Sequence, residues 1–182
     1  MSKIGIIGGG REGMSLVKYL RAHGERDLTL CDKNSSLEVL EGVSARLGSD
    51  YLEGLNDFDV LYRSPGVRLV DLGDFDGKIS SGTKLFFEKC PCPVIGVSGT
   101  KGKGTCSSLI AAILGDRARL GGNIGIPALD FLDELSGSLG EAAGSLTDEP
   151  LGLATGPLAI LELSSFQLQD LDVSPGVAVL LN

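Results

Sequence analysis

Residues 93–105 constrain the fold more than any other segment. The apolar run Pro93-Val94-Ile95-Gly96-Val97 leads directly into Gly99-Thr100-Lys101-Gly102-Lys103-Gly104-Thr105. An apolar strand, a glycine-rich turn with an embedded lysine, and then a helix-forming stretch is an arrangement that binds phosphate. Small residues let main-chain N–H groups close around an anion, the helix N-terminus adds positive potential, and lysine supplies a point charge. A strict Walker sequence has Gly at the position held here by Val97, and Ser or Thr at the one held by Gly104. The loop is therefore a variant. Thr105 or a bound water is the candidate replacement for the missing hydroxyl on Mg²⁺.

A second glycine turn opens the chain. Lys3-Ile4-Gly5-Ile6-Ile7 reads as a strand buried on both faces, and Gly8-x-Gly10-x-x-Gly13 follows. Met14, Val17 and Leu20 then recur at helical spacing, up to a stop at Gly24. This matches a dinucleotide-type phosphate turn. Asp32 ends the next strand pattern, Leu28 to Cys31, where a ribose-binding acid would sit. A further strand is expected from Asp59 to Tyr62, followed by the turn Ser64-Pro65-Gly66, and a short helix from Lys84 to Glu88. Pro91 and Pro93 mark a domain boundary.

The second half is expected to run strand (Val94 to Val97), helix (Thr105 to Leu114), strand (Ala118 to Leu120) and helix (Pro127 to Leu135). Ser136 to Pro157 is rich in Gly and Ser and reads as a mobile surface loop. Leu158-Ala159-Ile160-Leu161 resumes as a buried strand ending at Glu162, and Val177 to Leu181 is the last. Alternation of strands and helices implies an α/β protein with two parallel sheets. The last strand meets the end of the sequence without a covering helix, so the chain is expected to be part of a longer enzyme.

Composition narrows the partners. With 27 glycines and no Trp, Val, Ile and Leu must fill the core. A net charge of −8 argues against a general nucleic-acid surface. No apolar run approaches the ~18 residues of a membrane span, and no signal peptide is evident. A cytoplasmic monomer is expected. Cys90-Pro91-Cys92 is too tightly spaced for a zinc knuckle, and the four cysteines read as reduced thiols.

Glu162 lies at the carboxyl end of a strand and precedes Ser164 and Ser165. Position alone fits a metal ligand and a solvated strand-end acid equally well. Asn123, within Gly121-Gly122-Asn123-Ile124-Gly125, reads alone as a turn residue.

Five segments together resemble the Mur ligases of peptidoglycan synthesis. They are Ile6 through Ser15, Ser64-Pro65-Gly66-Val67, Gly99 through Thr105, Gly121 through Leu129, and Leu161-Glu162-Leu163-Ser164-Ser165-Phe166-Gln167-Leu168. The fifth is the most specific and resembles the D-glutamate-adding branch. The resemblance implies a Rossmann-like UDP-sugar-binding domain over residues 1–91, with Gly13, Asp32, Lys33 and Ser64 near the UDP-sugar. It implies the front of an ATP-binding P-loop-type domain over 93–182. Lys103 would hold the β- and γ-phosphates, with Gly99, Thr100, Lys101, Gly102, Gly104 and Thr105 around them. Glu162, with Thr105, would hold Mg²⁺, and Asn123 would line the site near the sugar nucleotide and the reacting phosphate.

The implied reaction transfers the γ-phosphoryl of ATP to the carboxylate of UDP-N-acetylmuramoyl-L-alanine. The amine of D-glutamate then attacks the acyl-phosphate. Lysine and Mg²⁺ would contribute mostly positioning and charge neutralisation.

Three departures from the family stand out. Gly104 replaces a hydroxyl residue, and the stretch from Ser136 to Pro157 is longer than usual. The family's downstream metal-binding His, its carbamylated Lys and its amino-acid-binding domain are not within the 182 residues. Full D-glutamate-dependent turnover by this chain alone is therefore not expected. Two other readings remain open. One is an NAD(P)-linked oxidoreductase, which leaves Lys103, Glu162 and the Ser-Ser-Phe-Gln segment unexplained. The other is a non-catalytic nucleotide-binding module.

Overall fold

A computed structural model describes residues 2–142 and 156–182. Two compact units divide the chain, Met1–Gly82 and Thr83–Asn182. Each is built on its own parallel sheet, so the α/β class expected from sequence holds for both.

The first unit contains β1 (Ile4–Ile7), α1 (Arg11–Ala22), β2 (Leu28–Asp32), β3 (Ser44–Leu47), β4 (Val60–Arg63) and β5 (Lys78–Ser80). The strand order is β3-β2-β1-β4-β5 and every pairing is parallel. β1 sits in the middle and is buried along its whole length, as its unbroken apolar run requires. Ile7, Cys31 and Leu61 pack with Leu55, Phe58 and Leu72 into one core layer. Ile6 and Leu30, also fully buried, alternate onto the opposite face, and α1 buries Leu16, Val17 and Leu20.

The second unit holds α2 (Gly82–Lys89, almost wholly within it), β6 (Val94–Gly99), α3 (Lys103–Leu114), β7 (Ala118–Gly122), α4 (Leu132–Ala142), β8 (Leu158–Glu162) and β9 (Val177–Leu181). The order is β7-β8-β6-β9, again parallel throughout. Ile95, Val97 and Ile160 face α3, which presents Cys106, Ile110, Ala111 and Leu114. Gly121 alternates to the other face, where a Cβ would stand 3.2 Å from Phe131 Cζ. Phe131 in turn meets Phe86 of α2 edge to face, at 5.6 Å between ring centres.

Two elements differ from the sequence expectation. The segment expected to be one helix from Pro127 is a 3-10 turn over Ala128–Phe131, followed by α4. That helix continues through Ser136 to Ala142, so the first part of the stretch read as a loop is helical. The rest of that expected loop, 143–155, lies outside the described residues. β3 and β5 were not apparent in the sequence and occupy the two edges of the first sheet.

Candidate functional site

In both units the candidate residues collect at the carboxyl ends of the parallel strands, where α/β proteins place ligands. At the end of β1, Gly8 adopts φ +98° and its N–H donates to Cys31 O at 2.8 Å. The next N–H, of Gly9, donates to Asp32 Oδ2 at 2.6 Å, while Asn34 N–H donates to Asp32 Oδ1 at 2.7 Å. Ser64 at the end of β4 donates its hydroxyl to Gly8 O at 2.9 Å. Asp32 and Ser64 therefore brace the glycine turn from the two strands that flank β1. Gly13 is required for close packing, because a Cβ there would run into Gly8 O. α1 begins beyond Gly10 with no side-chain cap, so its first-turn N–H groups point into this mouth. Lys33 is exposed beside it in sequence.

One participant escaped sequence reading. Arg63, the last residue of β4, is 1% exposed, and its guanidinium donates to Val67 O at 2.6 Å. It holds the Ser64-Pro65-Gly66-Val67 turn from beneath. A single Arg ahead of Ser-Pro-Gly carries no sequence signal for this role.

In the second unit the loop follows β6. Gly99 has φ +137°, and a Cβ there would strike Leu181 O of β9. Gly102 is left-handed at φ +76° and caps α3 without a side-chain bond. The loop thus turns sharply twice and leaves the first N–H groups of α3 unpaired within the helix. Lys103 is the first residue of α3, and its Nζ donates to Gly99 O at 2.9 Å, folding the amine across the loop. Thr100, Lys101 and Thr105 are exposed.

Glu162 ends β8, paired with Val97 of β6 on one side and Gly122 of β7 on the other. It is 5% exposed. Asn123 binds it twice, through its main-chain N–H to Glu162 O at 2.9 Å and its Nδ2 to Glu162 Oε1 at 3.1 Å. The other carboxylate oxygen faces Gly104, where a Cβ would stand 3.4 Å from Oε2 and 2.8 Å from Ile124 Cδ1. The structure therefore brings Lys103, Gly104, Asn123 and Glu162 to one edge, and Gly104 is the loop residue lying against the acid.

This arrangement fits a magnesium–nucleotide pair. Mg²⁺ takes oxygen ligands and is commonly held by one or two carboxylates plus phosphate oxygens and water. Glu162 supplies one buried carboxylate steadied by an amide, and its second oxygen lies against the loop at Gly104. No cluster of three or more His, Cys, Asp or Glu suited to a metal occurs among the described residues. The segment after β8 turns back on itself at Ser164. Ser164 N–H donates to Gln167 Oε1 at 2.8 Å and Gln167 N–H to Ser164 Oγ at 3.2 Å, a reciprocal cap that buries Gln167. An apolar cavity of about 320 Å³ beside β9, lined by Gly96, Leu163, Leu171, Pro175 and Leu180, includes none of the candidate residues.

Comparison with known proteins agrees with the segments that carry the resemblance. The chain is 35% identical, over 99% of its length, to UDP-N-acetylmuramoylalanine–D-glutamate ligase of Acetivibrio thermocellus. It is 34% identical, over the same share, to the enzyme of that name from Ruminiclostridium cellulolyticum. This chain is a homologue of the N-terminal part of the D-glutamate-adding Mur ligases. It spans 38% of the length of each of those two relatives. No family model matches it. Among solved structures, a pseudomurein peptide ligase type C from Methanothermus fervidus aligns over 91% of this chain and 33% of its own, at 21% identity and a TM-score of 0.43. Among the described residues, no helix is long and apolar enough to cross a membrane.

Proposed function

We propose that this chain carries the sugar-nucleotide and ATP-binding parts of a ligase that joins D-glutamate to UDP-N-acetylmuramoyl-L-alanine. The observation that carries the reading is the approach of buried Glu162, steadied by Asn123, to Gly104 behind the lysine-bearing loop. The homologues' names supply the substrate class.

The residues divide the work as follows. The N–H groups of the Gly99–Gly102 turn and the first turn of α3 bind and orient the triphosphate. Lys103 exchanges its contact with Gly99 O for a phosphate oxygen, and its charge offsets the negative charge there as the terminal phosphoryl moves to the substrate carboxylate. Glu162, with Oε1 tied to Asn123, keeps Oε2 turned toward the phosphates. Mg²⁺ bound there would neutralise phosphate charge. In the first unit, the braced Gly8–Gly13 turn and the open end of α1 bind the UDP moiety, with Ser64, Asp32 and Lys33 around it.

Equilibrium binding of a fluorescent ATP analogue and of a UDP-sugar tests this reading. Lys103→Ala is expected to weaken the ATP analogue by about 10- to 100-fold, the scale of a lost charge-assisted bond. UDP-sugar binding should stay within about twofold. Binding of NADH in preference to UDP-sugar would overturn the assignment of the first unit. An unchanged ATP affinity in the variant would overturn that of the second.

A further inference from the structure

The Cys90-Pro91-Cys92 segment belongs to none of the sites above. It lies between α2, which ends at Lys89, and β6, which begins at Val94. That is the end of β6 opposite the phosphate loop. Cys90 N–H donates to Phe86 O at 2.7 Å, which anchors the segment to the last turn of α2. Both cysteines are free thiols. Their sulfurs face each other at 3.6 Å in an S–H···S contact, and Cys90 Sγ also lies 3.5 Å from Cys92 O. Pro91 holds its own φ and restricts Cys90, so the intervening residue has little freedom to part the thiols. Cys92 is 8% exposed while Cys90 is half-buried. Cys90 is thus the more exposed residue of the pair.

We propose that Cys90 and Cys92 form a thiol–disulfide exchange site whose co-reactant is a low-molecular-weight disulfide such as glutathione disulfide. Cys90 attacks and Cys92 resolves. The Cys90 thiolate, its proton released to water, attacks one sulfur of the small disulfide, whose S–S bond breaks. The first small thiolate leaves and takes up a proton. Cys92 then gives up its proton and attacks Cys90 Sγ in the mixed disulfide, which expels the second small thiolate. Two protein thiols are oxidised to one disulfide and one small disulfide is reduced to two thiols. Closing the bond requires the sulfurs to approach by about 1.6 Å.

The electrostatics agree with these roles. The S–H···S contact lowers Cys90 below an ordinary thiol and raises Cys92, whose burial pushes it further up. Thiolate therefore forms on Cys90, the more exposed residue of the two. Cys31 is an internal control. It is fully buried, and burial pushes its thiol up to about 11 despite the opposing charge of Arg46.

The test uses the full chain in a glutathione redox buffer, followed by alkylation, unfolding and tryptic mapping. The peptide Cys90–Lys101 contains both sulfurs and no other cysteine. In the wild type it is expected to become two hydrogens lighter and resistant to alkylation. Cys31 should react at least about 25-fold more slowly than an ordinary thiol, from thiolate fraction and nucleophilicity together. Cys92→Ser should stop at a glutathione adduct on Cys90, and Cys90→Ser should form adduct at least about tenfold more slowly. A wild-type peptide that stays fully alkylatable would overturn the proposal, as would one holding a glutathione adduct as persistent as that of Cys92→Ser. ATP-analogue binding in the same sample separates this outcome from failure of the nucleotide reading, because the exchange does not require the loop.

Discussion

The two glycine turns are built on one plan, a parallel strand leading into an uncapped helix, yet they use their carboxylates differently. In the first, Asp32 is spent on its own loop, with both oxygens taking main-chain N–H groups from Gly9 and Asn34. In the second, Glu162 comes from a neighbouring strand, is held at one oxygen by Asn123, and turns the other toward Gly104. The first loop has no lysine between its glycines, whereas the second folds Lys103 across itself. An acid that braces a turn suits a ligand bound by main-chain groups. An acid presented across a cationic turn suits a polyphosphate with its metal. The glycines differ too. Gly13 is fixed by its own loop, through Gly8 O, and Gly99 by the adjacent strand β9, through Leu181 O.

The sharpest way to break this comparison is to add a Cβ to each turn. Gly13→Ala and Gly99→Ala each drive a methyl into a main-chain carbonyl. Neither obstacle can swing aside as a side chain could, and Gly99 also holds φ +137°. Each variant is expected to lose more than about 3 kcal/mol from its own unit, the upper range for overpacking. The readouts should separate. Gly13→Ala abolishes UDP-sugar binding with ATP-analogue affinity kept within about threefold, and Gly99→Ala does the reverse. Loss of both ligands in either variant would show that the two turns are not independent.

The strands and the residues of both turns were legible in the sequence, but the bracing of the first turn by Asp32 was not. The apolar runs of β1, β6 and β8 are buried strands; Lys103 was named from its glycine loop, Glu162 and Asn123 through the family resemblance, and the three lie at one sheet edge. What could not be read depends on long-range pairing. Ser44-Ala45-Arg46-Leu47 and Lys78-Ile79-Ser80 are short, polar edge strands, formed because β2 and β4 offer them hydrogen bonds. That Gly104 lies against Glu162 follows from the register of Val97 with Glu162 and from the left-handed turn at Gly102. Neither leaves a local signature. The Gly- and Ser-containing end of α4 misled because intrinsic propensity is a weak guide to where a helix stops.

A smaller effect should distinguish the two acids. In Asp32→Asn, one oxygen that accepts a main-chain N–H becomes a donor, and an N–H is left facing another. The expected loss is about 1–3 kcal/mol, seen as a lower thermal midpoint. Glu162→Gln keeps an oxygen for Asn123 and should leave the midpoint nearly unchanged. Its effect should appear instead as a roughly tenfold loss in the enhancement of ATP-analogue binding by Mg²⁺. A destabilised Glu162→Gln with intact Mg²⁺ response would make Glu162 a bracing residue like Asp32 and remove the distinction.

The finest adjustment is at Gly104. Its missing side chain leaves the Glu162 carboxylate without a hydroxyl from position 104. Gly104→Ser would place a Cβ 3.4 Å from Glu162 Oε2, with its hydroxyl able to turn toward the acid. The only tight approach is 2.8 Å to Ile124 Cδ1, the tip of a flexible, partly exposed side chain that can rotate away. Serine also favours the helix slightly over glycine. The variant should therefore fold at least as well as the wild type and bind the ATP analogue a few-fold more tightly, about 0.5–1 kcal/mol, only when Mg²⁺ is present. An equal gain without Mg²⁺ would trace the effect to helix propensity or a direct phosphate contact. A loss of affinity would mean that the close packing of Ile124 on Gly104 is itself part of how the phosphates are seated.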